Sequence, residues 1–183
     1  MAKHVKGTLF LDYVRMIRKR KEVDWSKHLT REDQKILSQM ILPSEWYPLE
    51  TFQHCGVAVL KEIARGDMEG VRVWGRQSMD ELIKIYKNLA EESDALKALE
   101  KLQLLRRRFY DFEGLEISPQ TGNRVQVKVD MAFGGVADEA YAYQMLGTVE
   151  RLLERTGAKN IQFKFIQKVW QGAPATTIEF SWE

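Results

Sequence analysis

The sequence predicts a single α+β domain over residues 1–183, with a helical half (1–108) packed on a four-stranded antiparallel sheet formed in the other half (109–183). Two observations carry this expectation. As far as Tyr110 the apolar residues recur at helical spacing, and beyond it they alternate. After the change the chain reads hairpin, helix, hairpin, a ββαββ order whose strands need one covered face that helices can supply.

The elements follow in order. Phe10, Tyr13, Val14 and Ile17 mark a helix over about residues 6–20. It ends in Arg15, Arg18, Lys19, Arg20 and Lys21, a run that suits the negative end of a helix dipole and lacks the aromatic interleaving of a nucleic-acid surface. Thr30 with Asp33 three residues on is a helix start. Leu42 to Ile63 then forms the central stretch. Pro48 confines the helix start to Ser44 or near Tyr47, and Cys55 to Leu60 carries no polar side chain, so this helix is expected to be buried all round. Gly56 suggests a close backbone approach. Met68 to Arg76 is helical, Gly75 to Ser78 is expected to kink, and Ser78 with Glu81 restarts a helix. Leu96, Leu99, Leu102 and Leu105 line a further helix.

Phe112 to Ile117 is expected to be a strand, Ser118 to Asn123 a turn, and Val125 to Phe133 the cleanest half-buried strand. Gly134 and Gly135 break it before a helix over about 137–156, which Gly157 stops. Ile161, Phe163 and Phe165 alternate in a third strand, and Ile178, Phe180 and Trp182 in a fourth.

Composition bounds the function. With 44% hydrophobic and 30% charged residues the chain is globular, and a net charge of +2 gives no reason to expect a nucleic-acid or membrane partner. The lone Cys55 leaves no intrachain disulfide or multi-cysteine zinc site, and fits a cytoplasmic compartment. The first residues lack the apolar core of a signal peptide, and no apolar run reaches the roughly 18 residues of a membrane span. No phosphate-cradling glycine loop, zinc spacing or nucleophile elbow is present, so no catalytic residue, metal or cofactor is expected and the chain is read as a non-enzyme. Asp111, Glu113 and Glu116 are not shown to face one another across a cleft, as a glycosidase pair must.

The order of elements, together with LPSEWYP at 42–48, WGR at 74–76, RRFYDFEGLEI at 107–117 and a terminal FSWE, resembles a paralogous family of myxobacteria and relatives whose function is unknown. The resemblance covers nearly the whole chain. More distantly, the layout is similar to four-vinyl-reductase-type domains, haem nitric-oxide-binding domains and TRAPP tethering subunits. It implies a helical half on a four-stranded antiparallel sheet. It also implies either a pocket for an apolar or aromatic small molecule or haem, or a dimeric scaffold, in some members with an acylated cysteine. Haem-binding members have a proximal histidine and a Tyr-x-Ser-x-Arg motif. This chain has three histidines, His4, His28 and His54, and no such motif, so haem is not expected. The C-terminal cysteines common in the four-vinyl-reductase type are absent from 167–183.

The expected function is therefore a non-catalytic regulatory or sensory domain, with an apolar small molecule or lipid-like ligand held between helices and sheet. Candidate pocket residues are Trp46, Tyr47, Phe52, Cys55, Val59, Trp74, Arg76, Tyr110, Phe133 and Trp170. The alternative is a homodimeric interaction scaffold without a ligand, its aromatics partly at an interface. Cys55 reads as a small core residue or a pocket thiol, and Arg76 as a ligand anchor or a structural ion pair. His54 lies about 100° around the helix from Cys55, so the two do not form a dyad.

Overall fold

The helical and alternating patterns are realised in a computed structural model that describes residues 2–183, the side chain of Ala90 excepted. The protein is α+β, with seven α-helices and two antiparallel sheets among the described residues, one of them four-stranded. The chain groups into two compact units, residues 1–67 with 106–113, and 68–105 with 114–183. Helices that the sequence places with the N-terminal half thus share a unit with the large sheet.

In the first unit, β1 (His4–Lys6) pairs antiparallel with β2 (Trp46–Pro48). Helix α1 (Gly7–Lys19) buries Phe10, Val14 and Ile17. Helix α2 (Arg31–Ser38) opens with the expected capping box, Thr30 and Asp33 satisfying each other's backbone N–H. Arg18 of the basic run closes its other end, donating to the carbonyls of Leu37 and Gln39 at 2.8 and 2.7 Å. That use matches the preference for cations at helix C-termini. Helix α3 (Leu49–Glu62) begins later than the prolines suggested, because Trp46–Pro48 is drawn into the ladder with β1.

The second unit holds α4 (Met68–Ile85), α5 (Lys87–Ala90), α6 (Ala95–Arg106, its last residue grouped with the first unit), β3 (Leu115–Gln120), β4 (Arg124–Val129), α7 (Val136–Arg155), β5 (Gln162–Gln167) and β6 (Thr176–Ser181). The sheet order is β3-β4-β6-β5, all antiparallel, so the second strand of each hairpin, β4 and β6, lies inside and β3 and β5 form the edges. Val125, Val127, Ile178 and Phe180 are fully buried and alternate with polar neighbours, as their period-two spacing requires.

One expectation fails here. No break occurs at Gly75–Ser78, and α4 is one continuous helix. Gly75 instead lets α7 approach. A Cβ there would collide with the Gln144 carbonyl, and one at Gly147 of α7 would collide with the Arg72 carbonyl. Each helix thus supplies a glycine where the other's backbone arrives. The strands are also displaced from their expected bounds: β3 starts at Leu115 and runs through Pro119, and β4 stops at Val129.

Candidate functional site

The apolar wall of the first unit is built by α3 against α1. Phe52, Cys55 and Val59 fall on one side of α3 at i, i+3, i+7 spacing, and Cys55 and Val59 are fully buried. The Phe52 ring meets Tyr13 at 4.9 Å and Phe10 at 6.4 Å. Gly56 makes room for the Tyr13 ring, which a Cβ would meet at 3.3 Å. Its neighbour is a side chain, not the backbone its place in the sequence suggested. Tyr47 adds to the wall, its ring 5.3 Å from Phe10 and its hydroxyl accepting the Leu42 N–H at 2.9 Å. Phe10, Tyr13, Tyr47 and Phe52 thus form one aromatic cluster, and Cys55 and Val59 are buried on the Phe52 side of α3.

Beside the wall sits a polar cluster that sequence reasoning saw only in part. Asp33 is buried and takes hydrogen bonds from Thr30 N and Oγ1 at 2.9 and 2.7 Å, and pairs with His54 Nδ1 at 2.8 Å. Thr51 also hydrogen-bonds it. Burial pushes the Asp33 carboxyl up, but the hydrogen bonds from Thr30, Thr51 and His54 outweigh it and hold the group below the ordinary carboxylate range. Thr51 and His54 are three residues apart on α3 and so share a face. That spacing, set against the capping box, was the signal available for the cluster.

A lowered carboxyl stabilises the fold above its unfolded-state pKa, and this contribution disappears as pH falls through the folded-state value. Asp33→Ala is therefore expected to cost about 2 kcal/mol at neutral pH, through the lost cap and buried hydrogen bonds. It should also flatten the acid limb of stability against pH in urea unfolding. An unchanged acid limb would contradict the role given to Asp33.

Burial, with a further push from the Asp33 carboxylate, raises the Cys55 thiol to about 12. At pH 8 only about one molecule in ten thousand would carry the thiolate. A buried thiol so rarely ionised is a poor nucleophile. Cys55 is expected to resist a disulfide-forming thiol reagent until the protein unfolds. Rapid stoichiometric labelling of the folded protein would contradict this.

The remaining candidate residues are distributed as follows. Trp46 is 41% exposed, with the Lys6 ammonium 4.1 Å above its ring. Tyr110 is buried under the Arg106 guanidinium at 4.2 Å and bridges to Val5 through its backbone. Trp74, Arg76, Phe133 and Trp170 belong to the second unit. There Arg76 pairs with Glu154 at 2.7 Å and lies 3.8 Å from Glu150, the structural reading of this residue. Phe133 stands edge-on to Tyr141 at 5.4 Å, its N–H held by the buried Asp138 carboxylate at 2.6 Å. Trp170 stands edge-on to Phe165 at 5.6 Å. Of the three carboxylates expected on a short strand only Glu116 lies on β3, and each has its own cation: Asp111 pairs with His4, Glu113 with Arg107 and Glu116 with Lys128.

The donors for a haem iron can be tested on the same geometry. All three histidines lie in the first unit, each against a carboxylate: His4 on Asp111 at 2.6 Å, His28 on Glu62 at 2.5 Å, and His54 on Asp33. The second ring nitrogen of His54 lies 4.0 Å from Glu50, itself largely exposed, so it opens toward charge and water and not into an apolar slot. Among the described residues no group of three or more His, Cys, Asp or Glu side chains is placed to hold a metal ion. A carboxylate on one ring nitrogen does not by itself bar iron, since a ligating histidine commonly holds such a partner on its other nitrogen. At His54 it is the charged, water-facing surroundings of that other nitrogen that do not fit a haem pocket. Among the described residues, too, no helix is long and apolar enough to cross a membrane.

No model of a known protein family matches the chain, and no curated protein matches it. Solved structures do. An H-NOX protein from S. oneidensis in the Fe(II)NO ligation state is 11% identical with a TM-score of 0.65, over 97% of this chain and 99% of that one. A point variant of the T. tengcongensis H-NOX is 13% identical with a TM-score of 0.63, over 97% of each chain. An oxygen-binding H-NOX domain related to soluble guanylate cyclases is 14% identical with a TM-score of 0.59, over 97% of this chain and 95% of that one. At these identities the likeness is one of fold: the chain has an H-NOX-like α+β fold over nearly its full length.

Proposed function

We propose that the chain is a non-catalytic sensory or regulatory domain, acting as one functional domain, whose input is an apolar small molecule and not a haem-bound gas. The observation that carries the reading is a pairing of two facts. The H-NOX-like fold extends over 97% of the chain, and all three histidines stand at partly exposed positions and not in an apolar slot. The candidate lining in the first unit is Tyr47 of β2 with Phe52, Cys55 and Val59 of α3, apolar or aromatic residues on the inner side of their elements. Apolar surface with few polar groups is the usual lining of a small-molecule site.

Titrating hemin and, separately, oleic acid into the purified protein tests this. The expected result is saturable quenching of tryptophan fluorescence by oleic acid at a defined stoichiometry. Hemin should give no sharp Soret band of a histidine-ligated iron. A stoichiometric haem complex with such a band would refute the reading, as would absence of any saturable response to oleic acid or a comparable panel of apolar ligands.

A further inference from the structure

The two edges of the large sheet are treated differently, and the difference points to a partner. On β3 the outward backbone is blocked. Gln103 Oε1 accepts the Ile117 N–H at 3.3 Å, and Pro119, two residues on and facing the same way, has no N–H to offer. Proline and side-chain cover are two of the devices by which proteins keep an edge strand from pairing, along with charged side chains and bulges. The opposite edge, β5, has neither proline nor cover; its guards are one lysine, Lys164, and a bulge at its far end. Gln162, Lys164 and Gln167 are exposed, Phe163 is 36% and Ile166 44% exposed, and β5 pairs only with β6 among the described residues. A bulge between Phe165 and Gln167 interrupts the ladder only at its far end.

The side chains at this edge make a shelf. Phe163 and Phe165 alternate onto the face whose β6 partners, Phe180 and Ile178, are fully buried. Phe165 contacts Tyr143 at 5.5 Å, Phe163 at 6.2 Å and Trp170 at 5.6 Å, so a half-open aromatic row continues the core to the edge. Two cations stand over it: the Arg72 guanidinium, itself paired with Glu69 and Glu150, lies 5.0 Å over Phe163, and the Lys168 ammonium 5.4 Å over Phe165. Lys164 stands exposed on the strand itself, on the other face from the aromatic row and directly across from Glu179 of β6.

We infer that the β5 edge is a docking site for an extended, acidic segment of a partner protein, which adds to the sheet as a fifth strand. The segment's backbone pairs with the open N–H and C=O groups of β5, the usual mode of strand addition. Its alternate apolar side chains lie on the Phe163–Phe165–Trp170 row, and its carboxylates meet Lys164 and Lys168. Charge decides against a second copy of this chain. An antiparallel two-fold pairing centred on Lys164 or Phe165 sets the two copies' Lys164 side chains opposite or next to one another, and like charges across a strand pair are destabilising.

The test uses the full chain and two capped seven-residue peptides that alternate valine and phenylalanine with either glutamate or lysine. Fluorescence anisotropy, hydrogen exchange and light scattering are read together. The glutamate peptide should bind, more weakly as salt is added, and should slow exchange of the β5 amides, while the lysine peptide should not bind. The double variant Lys164→Glu, Lys168→Glu, both at solvent-accessible positions, should keep the native circular dichroism and lose about tenfold or more in affinity for the glutamate peptide. Equal binding of the two peptides, no binding of either, protection outside β5, or an affinity unchanged by the double variant would each overturn the proposal. A peptide-free dimer with protected β5 amides would overturn it in favour of a second copy.

Discussion

Replacing Gly147 by alanine is expected to destabilise the protein by about 3 kcal/mol or more, although the same change in an isolated helix would stabilise it by about 1 kcal/mol. The sign is reversed by the crossing of α4 and α7. A methyl group on Gly147 would sit inside the Arg72 carbonyl and only 3.1 Å from the Arg76 nitrogen. These neighbours are backbone atoms within a continuous helix, so they yield only if α4 and α7 separate. Gly75→Ala meets the Gln144 carbonyl and the Thr148 nitrogen in the same way and should behave alike. The two changes should not be additive, because either one already opens the contact. Urea unfolding of the single and double variants reads this directly. A Gly147→Ala protein as stable as the parent would mean that α4 and α7 do not approach as described.

Arg72→Met should cost about 3 kcal/mol at neutral pH, comparable with the loss of a large core side chain. Glu150 is buried and receives Arg72 through two nitrogens, Nε at 2.7 Å and Nη2 at 2.6 Å. The pairing holds the Arg72 guanidinium above its ordinary range, chiefly through the Glu150 hydrogen bond. Without Arg72 the carboxylate keeps only Arg76 at 3.8 Å, which is itself engaged by Glu154. The cost comes from stranding a buried charge, so the double change Arg72→Met, Glu150→Met should recover most of the stability. Lower on the same helices, hydrogen bonds from Arg151 and Arg155 outweigh burial and hold Asp80 below its ordinary range. Asp80, like Asp33, therefore adds stability above the unfolded carboxylate pKa and loses it as pH falls through its folded value. A double variant no more stable than Arg72→Met would contradict the stranded-charge explanation.

Much of the fold was legible because it rests on periodicity. The alternation of Val125, Val127 and Val129, and of Ile178 and Phe180, could serve only a half-buried strand. The Thr30–Asp33 box marked α2 in full view, since a cap is a local event. What escaped notice depended on residues far apart in sequence. Gly75 looks like a helix breaker until Gly147 is placed opposite it. Trp46 to Pro48 looks like the first turn of a helix until β1 is there to pair with it. Asp33 reads as a helix cap, and only the folding of α3 alongside adds Thr51 and His54 to its partners. Of the candidate site residues, Phe52 and Val59 were identifiable as one helix face from spacing, and Cys55 as part of the apolar run Cys55 to Leu60. Arg76 could not be assigned to Glu154 across 78 residues of chain, because an arginine fork suits a ligand carboxylate as well as a side-chain one.

The chain has an H-NOX-like fold over nearly its full length. Whether the proposed apolar ligand or haem occupies it is tested most directly by native mass spectrometry of the full chain, purified from cells supplied with a haem precursor. The account predicts the apoprotein mass plus a labile, non-covalent adduct of a lipid-like or aromatic molecule, displaced by organic solvent, with no iron-containing species. A stoichiometric mass increase equal to iron protoporphyrin would contradict it, as would an apoprotein that takes up no apolar adduct under any loading.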